Sequence, residues 1–200
     1  PAPLGLVGRD LARRHDLPLI GFYHTRFPVY LAVYARGMVR SEHAAEAAEA
    51  LGYRFMRRVY GACDLVLAQS IAMADEVRRA SDAPLAVWDT GVDLAEFSPA
   101  PAPEFRAAHG IAPDATVVLY VGRLAPEKDL DVLAALSRRM PDLHFLMVGD
   151  GPYAATLHAI ARATFTGFLR GRDLADAYRA ADLFLFPSTT DTFGNVLVEA

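Results

Sequence analysis

Short apolar runs alternate along this chain with longer stretches in which apolar residues recur every three or four positions. Leu19 to Tyr23, Asp64 to Ala68, Leu85 to Trp88, Val117 to Val121, Leu143 to Val148, Phe165-Thr166 and Leu183 to Phe186 read as strands. Each is bounded by glycine, proline or small polar residues that stop an extended segment. The intervening stretches read as helices: the end of one over Leu4–His15, then Glu42 to about Tyr60, Ile71–Arg79, Leu130–Met140, Tyr153–Ala163 and Leu174–Ala180. Ser41 and Ser70 stand where an N-cap hydroxyl would accept from the first free backbone N–H groups. Phe27 to Met38 is aromatic and apolar with few charges, which fits a core helix first and a surface for an apolar acceptor second. Buried strands alternating with helices predict an α/β fold with parallel, doubly wound sheets.

One segment interrupts the alternation. Pro99, Pro101 and Pro103 make a stiff linker at 98–104, dividing the chain into 1–97 and 105–200. Two hundred residues that are 53% hydrophobic suffice for one large core or two small ones. Charged residues are 22% and the net charge is −4, with no long basic run, which argues against a nucleic-acid partner. Cys63 is the only cysteine, so no internal disulfide forms and a reducing, cytoplasmic setting is expected. No apolar stretch reaches the roughly 18–20 residues of a membrane span. A basic amphipathic turn (Arg54, Arg57, Arg58 beside Phe55, Met56 and Val59) leaves a peripheral contact with anionic membrane open as the lesser alternative to a solvated face. The chain begins without Met in what reads as mid-helix and stops one turn into another, so it reads as a fragment whose domains are both truncated.

Candidate chemistry collects at the carboxyl ends of the strands, where open α/β sheets bind ligands. After Leu183–Phe186, Asp191 precedes a helix start at Phe193-Gly194-Asn195, and Glu199 follows one turn inside. Carboxylates beside free helix N–H groups suit a ligand rich in hydroxyls, such as a sugar. After Val117–Val121, Gly122 ends the strand, and Arg123 and Lys128 flank a further helix start. Lys128 is the sole lysine in a chain whose other cations are arginine. Two cations at a helix N-terminus suit a diphosphate. The loop is not a P-loop, since it lacks the G-K-[ST] ending, and no G-x-G-x-x-G appears. The histidines are scattered and no D-x-D pair occurs in a strand-end loop, so no metal site is expected.

These stretches together resemble family 4 glycosyltransferases, retaining enzymes of the GT-B fold, over Leu19 to Ala200. Asp191 and Glu199, seven residues apart with Phe-Gly after the first, resemble the E-x7-E signature, with Asp in place of the first Glu. Thr-Asp-Thr-Phe-Gly-Asn is similar to the branch acting on lipid and polyprenyl acceptors, mannosyl- and sulfoquinovosyl-transferase-like. Tyr120 to Lys128 resembles the V-G-R-L-x-x-x-K element, and Gly91 to Pro99 the G-V-D-x-x-x-F-x-P crossover; Thr90 stands where many mannosyl-type relatives are basic.

The resemblance implies roles. His24, just past a strand, would point at the donor sugar and act with Asp191 in catalysis. Asp191, Phe193, Gly194 and Asn195 would hold that sugar, and Gly122, Arg123 and Lys128 the donor diphosphate. Glu199 would take the ribose, with Gly149, Gly167 and Phe168 lining the nucleoside side. The implied fold is two Rossmann-like domains facing a cleft, the first for the acceptor and the second for the donor. The implied activity is metal-independent hexosyl transfer, mannose favoured, from a GDP- or UDP-linked sugar to a lipid or glycan, with no separate cofactor. A GT-B nucleotide-sugar epimerase and a non-catalytic sugar-nucleotide-binding protein remain as alternatives.

Overall fold

The computed structural model describes residues 2–88, 91–158, 160 and 162–200. They form two compact units, Pro1–Thr90 with Thr190–Phe193, and Gly91–Thr189 with Gly194–Ala200. Asp89 and Thr90 lie outside the described residues, as do Ala159 and Ala161. The crossover residues up to Phe97 therefore fall with the second unit, not the first.

The first unit runs α1 (Ala2–His15), β1 (Ile20–Tyr23), α2 (Phe27–Val39), α3 (Glu42–Tyr60), β2 (Leu65–Ala68), α4 (Ile71–Arg78) and β3 (Leu85–Val87). Its sheet has the order β1-β2-β3 with both pairings parallel, Ile20 opposite Leu65 and Val66 opposite Leu85. Both helix starts read from serine form as capped ends: Ser41 Oγ accepts from Ala44 N at 3.4 Å and Ser70 Oγ from Met73 N at 3.3 Å. Tyr23, Met56, Val66, Met73 and Val77 make the core. One carboxylate is buried beside it. Glu76 on α4 accepts from Tyr23 Oη at 2.5 Å and from Arg26 Nε at 2.9 Å, so its charge is paired on both oxygens. The Phe27–Met38 segment is helical and faces the core along one stripe. Pro28 and Ala32 are buried, while Tyr34, Met38 and Val39 stay 49%, 85% and 63% exposed. An apolar helix meets the core along one stripe only, and small residues occupy it here.

The second unit runs α5 (Pro103–Ala108), β4 (Val117–Val121), a 3-10 turn (Pro126–Lys128), α6 (Asp131–Arg139), β5 (His144–Val148), α7 (Ala154–Leu157), β6 (Ala163–Gly167), α8 (Gly171–Arg179), β7 (Leu183–Phe184) and α9 (Asn195–Glu199). Its sheet is parallel throughout in the order β6-β5-β4-β7. Strands β4 and β5 are buried on both faces. Val118, Tyr120, Phe145 and Met147 enter one core, and Val117, Leu119, Val121, Leu146 and Val148 the other. That two-residue period is the physical content of a doubly wound sheet, each fully buried aliphatic chain contributing about 1.5–3 kcal/mol.

Three sequence expectations need correcting. The linker is not extended to its end, because Pro103 opens α5, a position where a missing N–H costs nothing. Arg106 of that helix donates to the Ala180 and Ala115 carbonyls and to Asp182 Oδ2, which also accepts from Val117 N at 2.7 Å. The helix expected over Tyr153–Ala163 is reduced to Ala154–Leu157, since Ala163 already pairs with Phe145 in the sheet. The strand expected over Leu183–Phe186 pairs only at Leu183 and Phe184.

Candidate active site

In the second unit the carboxyl ends of β4, β5 and β6 each finish in a glycine at positive φ: Gly122 at 151°, Gly149 at 131° and Gly167 at 72°. Backbone bonds stitch these ends together. Gly122 N donates to Val148 O at 3.0 Å, Gly149 N to Gly167 O at 2.8 Å, and Leu124 N to Asp150 O at 2.9 Å. A Cβ on Gly149 would stand 2.0 Å from the Gly122 carbonyl oxygen, so only glycine lets the two loops approach this closely.

A cavity of about 590 Å³ opens over these ends, walled by Gly122, Arg123, Gly149, Phe168, Arg170 and Glu199 among others. It thus gathers sequence candidates for the diphosphate and the nucleoside at the carboxyl ends of these strands. Arg123 is half-exposed, and its guanidinium pairs with Glu127, whose side chain is fully buried in the 3-10 turn. Lys128, one residue on, is 7% exposed with its Nζ 5.9 Å from the Phe186 ring centre, and it is not part of this wall.

Glu199 is oriented by a residue that sequence reading missed. Tyr178 Oη on α8 donates to Glu199 Oε2 at 2.9 Å and also lies 3.1 Å from the Val196 carbonyl. Burial pushes the Tyr178 phenol well above its ordinary value, and the Glu199 charge pushes the same way, so it stays a donor. No spacing rule links positions 178 and 199. Gly194, at φ 76°, precedes α9, which is five residues long, and Asn195 is exposed.

The remaining candidates belong to the first unit. His24 is exposed at the end of β1, and Asp191 is half-buried within Thr190–Phe193. Thr192 brings them near each other, its Oγ1 lying 2.6 Å from Gln69 Oε1 and 3.3 Å from the His24 carbonyl oxygen. Ser70 Oγ, already the cap of α4, donates to Thr192 O at 3.0 Å. Sequence reading assigned Ser70 to the cap alone. Among the described residues no group of three or more His, Cys, Asp or Glu side chains is arranged to hold a metal ion.

Parallel α/β sheets with a cavity at their glycine-lined strand ends place the chain in a known class: its structural neighbours are GT-B glycosyltransferases. Sucrose-phosphate synthase of Thermosynechococcus elongatus superposes with a TM-score of 0.76 at 25% identity, over 98% of this chain and 50% of that one. Anabaena HepE, solved in complex with UDP, superposes with a TM-score of 0.73 at 25% identity, over 100% and 55%.

Sequence comparison narrows the class to a family. Residues 1–96 match the model described as Glycosyltransferase Family 4, and residues 115–200 that described as Glycosyl transferases group 1. The sulfoquinovosyl transferase SQD2 of Arabidopsis thaliana is 30% identical over 95% of this chain and 37% of its own length. A GDP-mannose-dependent alpha-mannosyltransferase of Mycobacterium tuberculosis is 33% identical over 100% of this chain and 50% of its own. The chain belongs to glycosyltransferase family 4. It spans half or less of the length of these two curated relatives.

Proposed function

We propose that the protein carrying this chain is a retaining glycosyltransferase that moves a hexose, mannose favoured, from a nucleotide-diphosphate sugar to a lipid or glycan acceptor without a metal. The observation that carries this reading is the cavity over β4, β5 and β6, where Arg123, the glycine loops, Phe168 and the Tyr178-held Glu199 share one wall or support it. Family membership supports it, as do relatives named as mannosyl- and sulfoquinovosyl-transferases and a neighbour solved with UDP.

Breaking the bond between sugar and diphosphate leaves negative charge on the leaving group and positive charge on the sugar carbon. Arg123 offsets the first charge, with Lys128 as the second cation of the proposal; electrostatic stabilisation of that kind is the main catalytic contribution expected. Glu199 holds the ribose hydroxyls. Asp191, with the backbone around Gly194, holds sugar hydroxyls, and His24 assists at the sugar. The acceptor oxygen bonds to the sugar carbon from the leaving-group face as the carbon–phosphate-oxygen bond breaks. The departing phosphate oxygen takes the acceptor's proton, so configuration is retained.

Contact with an anionic membrane through Arg54, Arg57 and Arg58, all exposed on α3, belongs to the same proposal. No helix among the described residues is long and apolar enough to cross a membrane.

The test is transfer of labelled sugar from GDP- and UDP-linked donors to polyprenyl and glycan acceptors, with and without EDTA. An α-linked product from an α-linked donor is expected, with turnover that survives the chelator. Epimerised donor without acceptor product would replace transferase by epimerase, and loss of turnover in EDTA restored by Mn²⁺ would overturn metal independence.

A further inference from the structure

One relative is named for GDP-mannose and one neighbour was solved with UDP, so the donor's base has to be read from the site itself. The geometry points to a guanine nucleotide, with Glu96 as the residue that reads the base; this rests on the donor reading above.

The sheet order β6-β5-β4-β7 gives the cavity a direction. Arg123 follows β4, so the phosphate end lies there. Phe168 follows β6, two strands away, and it is 68% exposed with the Arg170 guanidinium 4.9 Å from its ring centre. An exposed ring paired with a planar cation is a stacking platform that any base can use. Stacking does not choose among bases. A charged group beside the platform does.

That group is Glu96, which lines the same cavity. Its Oε1 lies 3.3 Å from where a Cβ on Gly171 would stand, next in sequence to Arg170. The segment bearing it is fixed by backbone bonds: Arg179 donates to the carbonyl oxygens of Glu96 and Ser98. Phe97 packs edge-on against Tyr178 with ring centres 5.8 Å apart. The carboxylate is therefore held at the β6 end while its side chain stays available to the cavity.

An ionised carboxylate only accepts hydrogen bonds, and it has two oxygens to do so. Guanine carries two adjacent donors on one edge, N1–H and the N2 amino group, so both oxygens are satisfied. Uracil offers one N–H flanked by two carbonyl oxygens, and adenine one amino group beside a ring acceptor. Each of those sets a carboxylate oxygen against a lone pair. A site built to accept two bonds rejects bases that supply one, because its own polar atom is left unmatched.

The experiment is calorimetric binding of GDP, UDP and ADP to the full-length protein and to Glu96→Gln, with Phe168→Ala as the stacking control. Glutamine keeps the size but presents one acceptor and one donor, and the backbone bonds to Arg179 do not depend on the side chain. The expected result is GDP tightest by roughly tenfold or more. In Glu96→Gln that margin should collapse through loss of GDP affinity, whereas Phe168→Ala should weaken all three nucleotides alike. Equal binding of GDP and UDP, or a GDP margin that persists in Glu96→Gln, overturns the base assignment and leaves the diphosphate reading intact. Failure of all three to bind overturns the donor reading, and this inference with it.

Discussion

Tyr178 and Glu199 illustrate how a single hydroxyl can set the job of a carboxylate. With Oε2 engaged at 2.9 Å by a half-buried donor, Glu199 has a fixed direction and one oxygen left for the ribose proposed above. Asp191 lies in the other unit, tied through Thr192 to the His24 backbone, and its assigned contact is the sugar whose charge changes in the reaction. The two acids should therefore fail differently. Glu199→Gln should mainly raise the KM for donor, and Asp191→Asn should mainly lower kcat with nucleoside diphosphate affinity spared, each by roughly ten- to a hundredfold. Donor kinetics with calorimetric nucleotide binding check this, and identical behaviour of the two variants would remove the distinction. Another residue-scale effect concerns His144, whose Nε2 lies 2.8 Å from Thr164 Oγ1 between β5 and β6. Desolvation by burial, then the Arg162 and Arg106 charges, hold its pKa below the ordinary 6.5. The unfolded chain thus binds the proton more readily, so this contribution to stability is full above 6.5 and is lost as pH falls through the depressed folded value. Thermal melts between about pH 7 and pH 5 should fall more steeply for wild type than for His144→Gln.

At the scale of elements, the loops after β4 and β5 approach each other closely. Gly149 combines a φ of 131° with a backbone oxygen 2.0 Å from its missing Cβ, and neither backbone can yield without parting β4 from β5. Gly149→Ala should cost at least about 3 kcal/mol, the sum of strain and overpacking. Gly110 is the comparison: its φ is 65° but no atom stands within 4 Å of the place a Cβ would take, so Gly110→Ala should cost only about 1–2 kcal/mol. Urea unfolding of both variants measures the difference, and equal losses would show that the close approach of the loops is not what glycine secures. Arg123, proposed above to face the diphosphate, also pairs its guanidinium with the buried Glu127 carboxylate. Its loss is thus read through both affinity and stability, and stability must be measured alongside binding.

On the scale of the whole molecule, two units each own a core, one around Tyr23, Met56 and Val66 and one on both faces of β4 and β5. Trp88, the only tryptophan, lies at the end of the first unit's sheet with its ring 5.5 Å from that of Phe22. Its fluorescence therefore reports that unit alone. Leu146 is fully buried in the second. Leu146→Ala should cost the second unit about 2–5 kcal/mol and shift the circular-dichroism transition, while the Trp88 transition stays in place. A matching shift in both signals would mean that the units unfold as one.

Much of this was determined by the chain's local chemistry. The β4 and β5 runs, the serine caps at Ser41 and Ser70, and the glycines that end the strands are each specified within a few residues. Apolar period, hydroxyl capping and positive φ act over that range and need no partner from elsewhere. The class followed from them, since alternating buried strands and helices have few packings. What tertiary structure alone decided is long-range. The helix that Pro103 opens is anchored where Arg106 meets Asp182 and the Ala180 carbonyl, 74 residues away in the latter case. Tyr178 reaches Glu199, Thr192 settles beside Gln69 and His24, and Glu96 comes to rest against Gly171. Each of these pairings depends on which strand lies next to which and on where the crossovers return, and a hydrogen bond between distant residues leaves no periodic trace in the residues that make it.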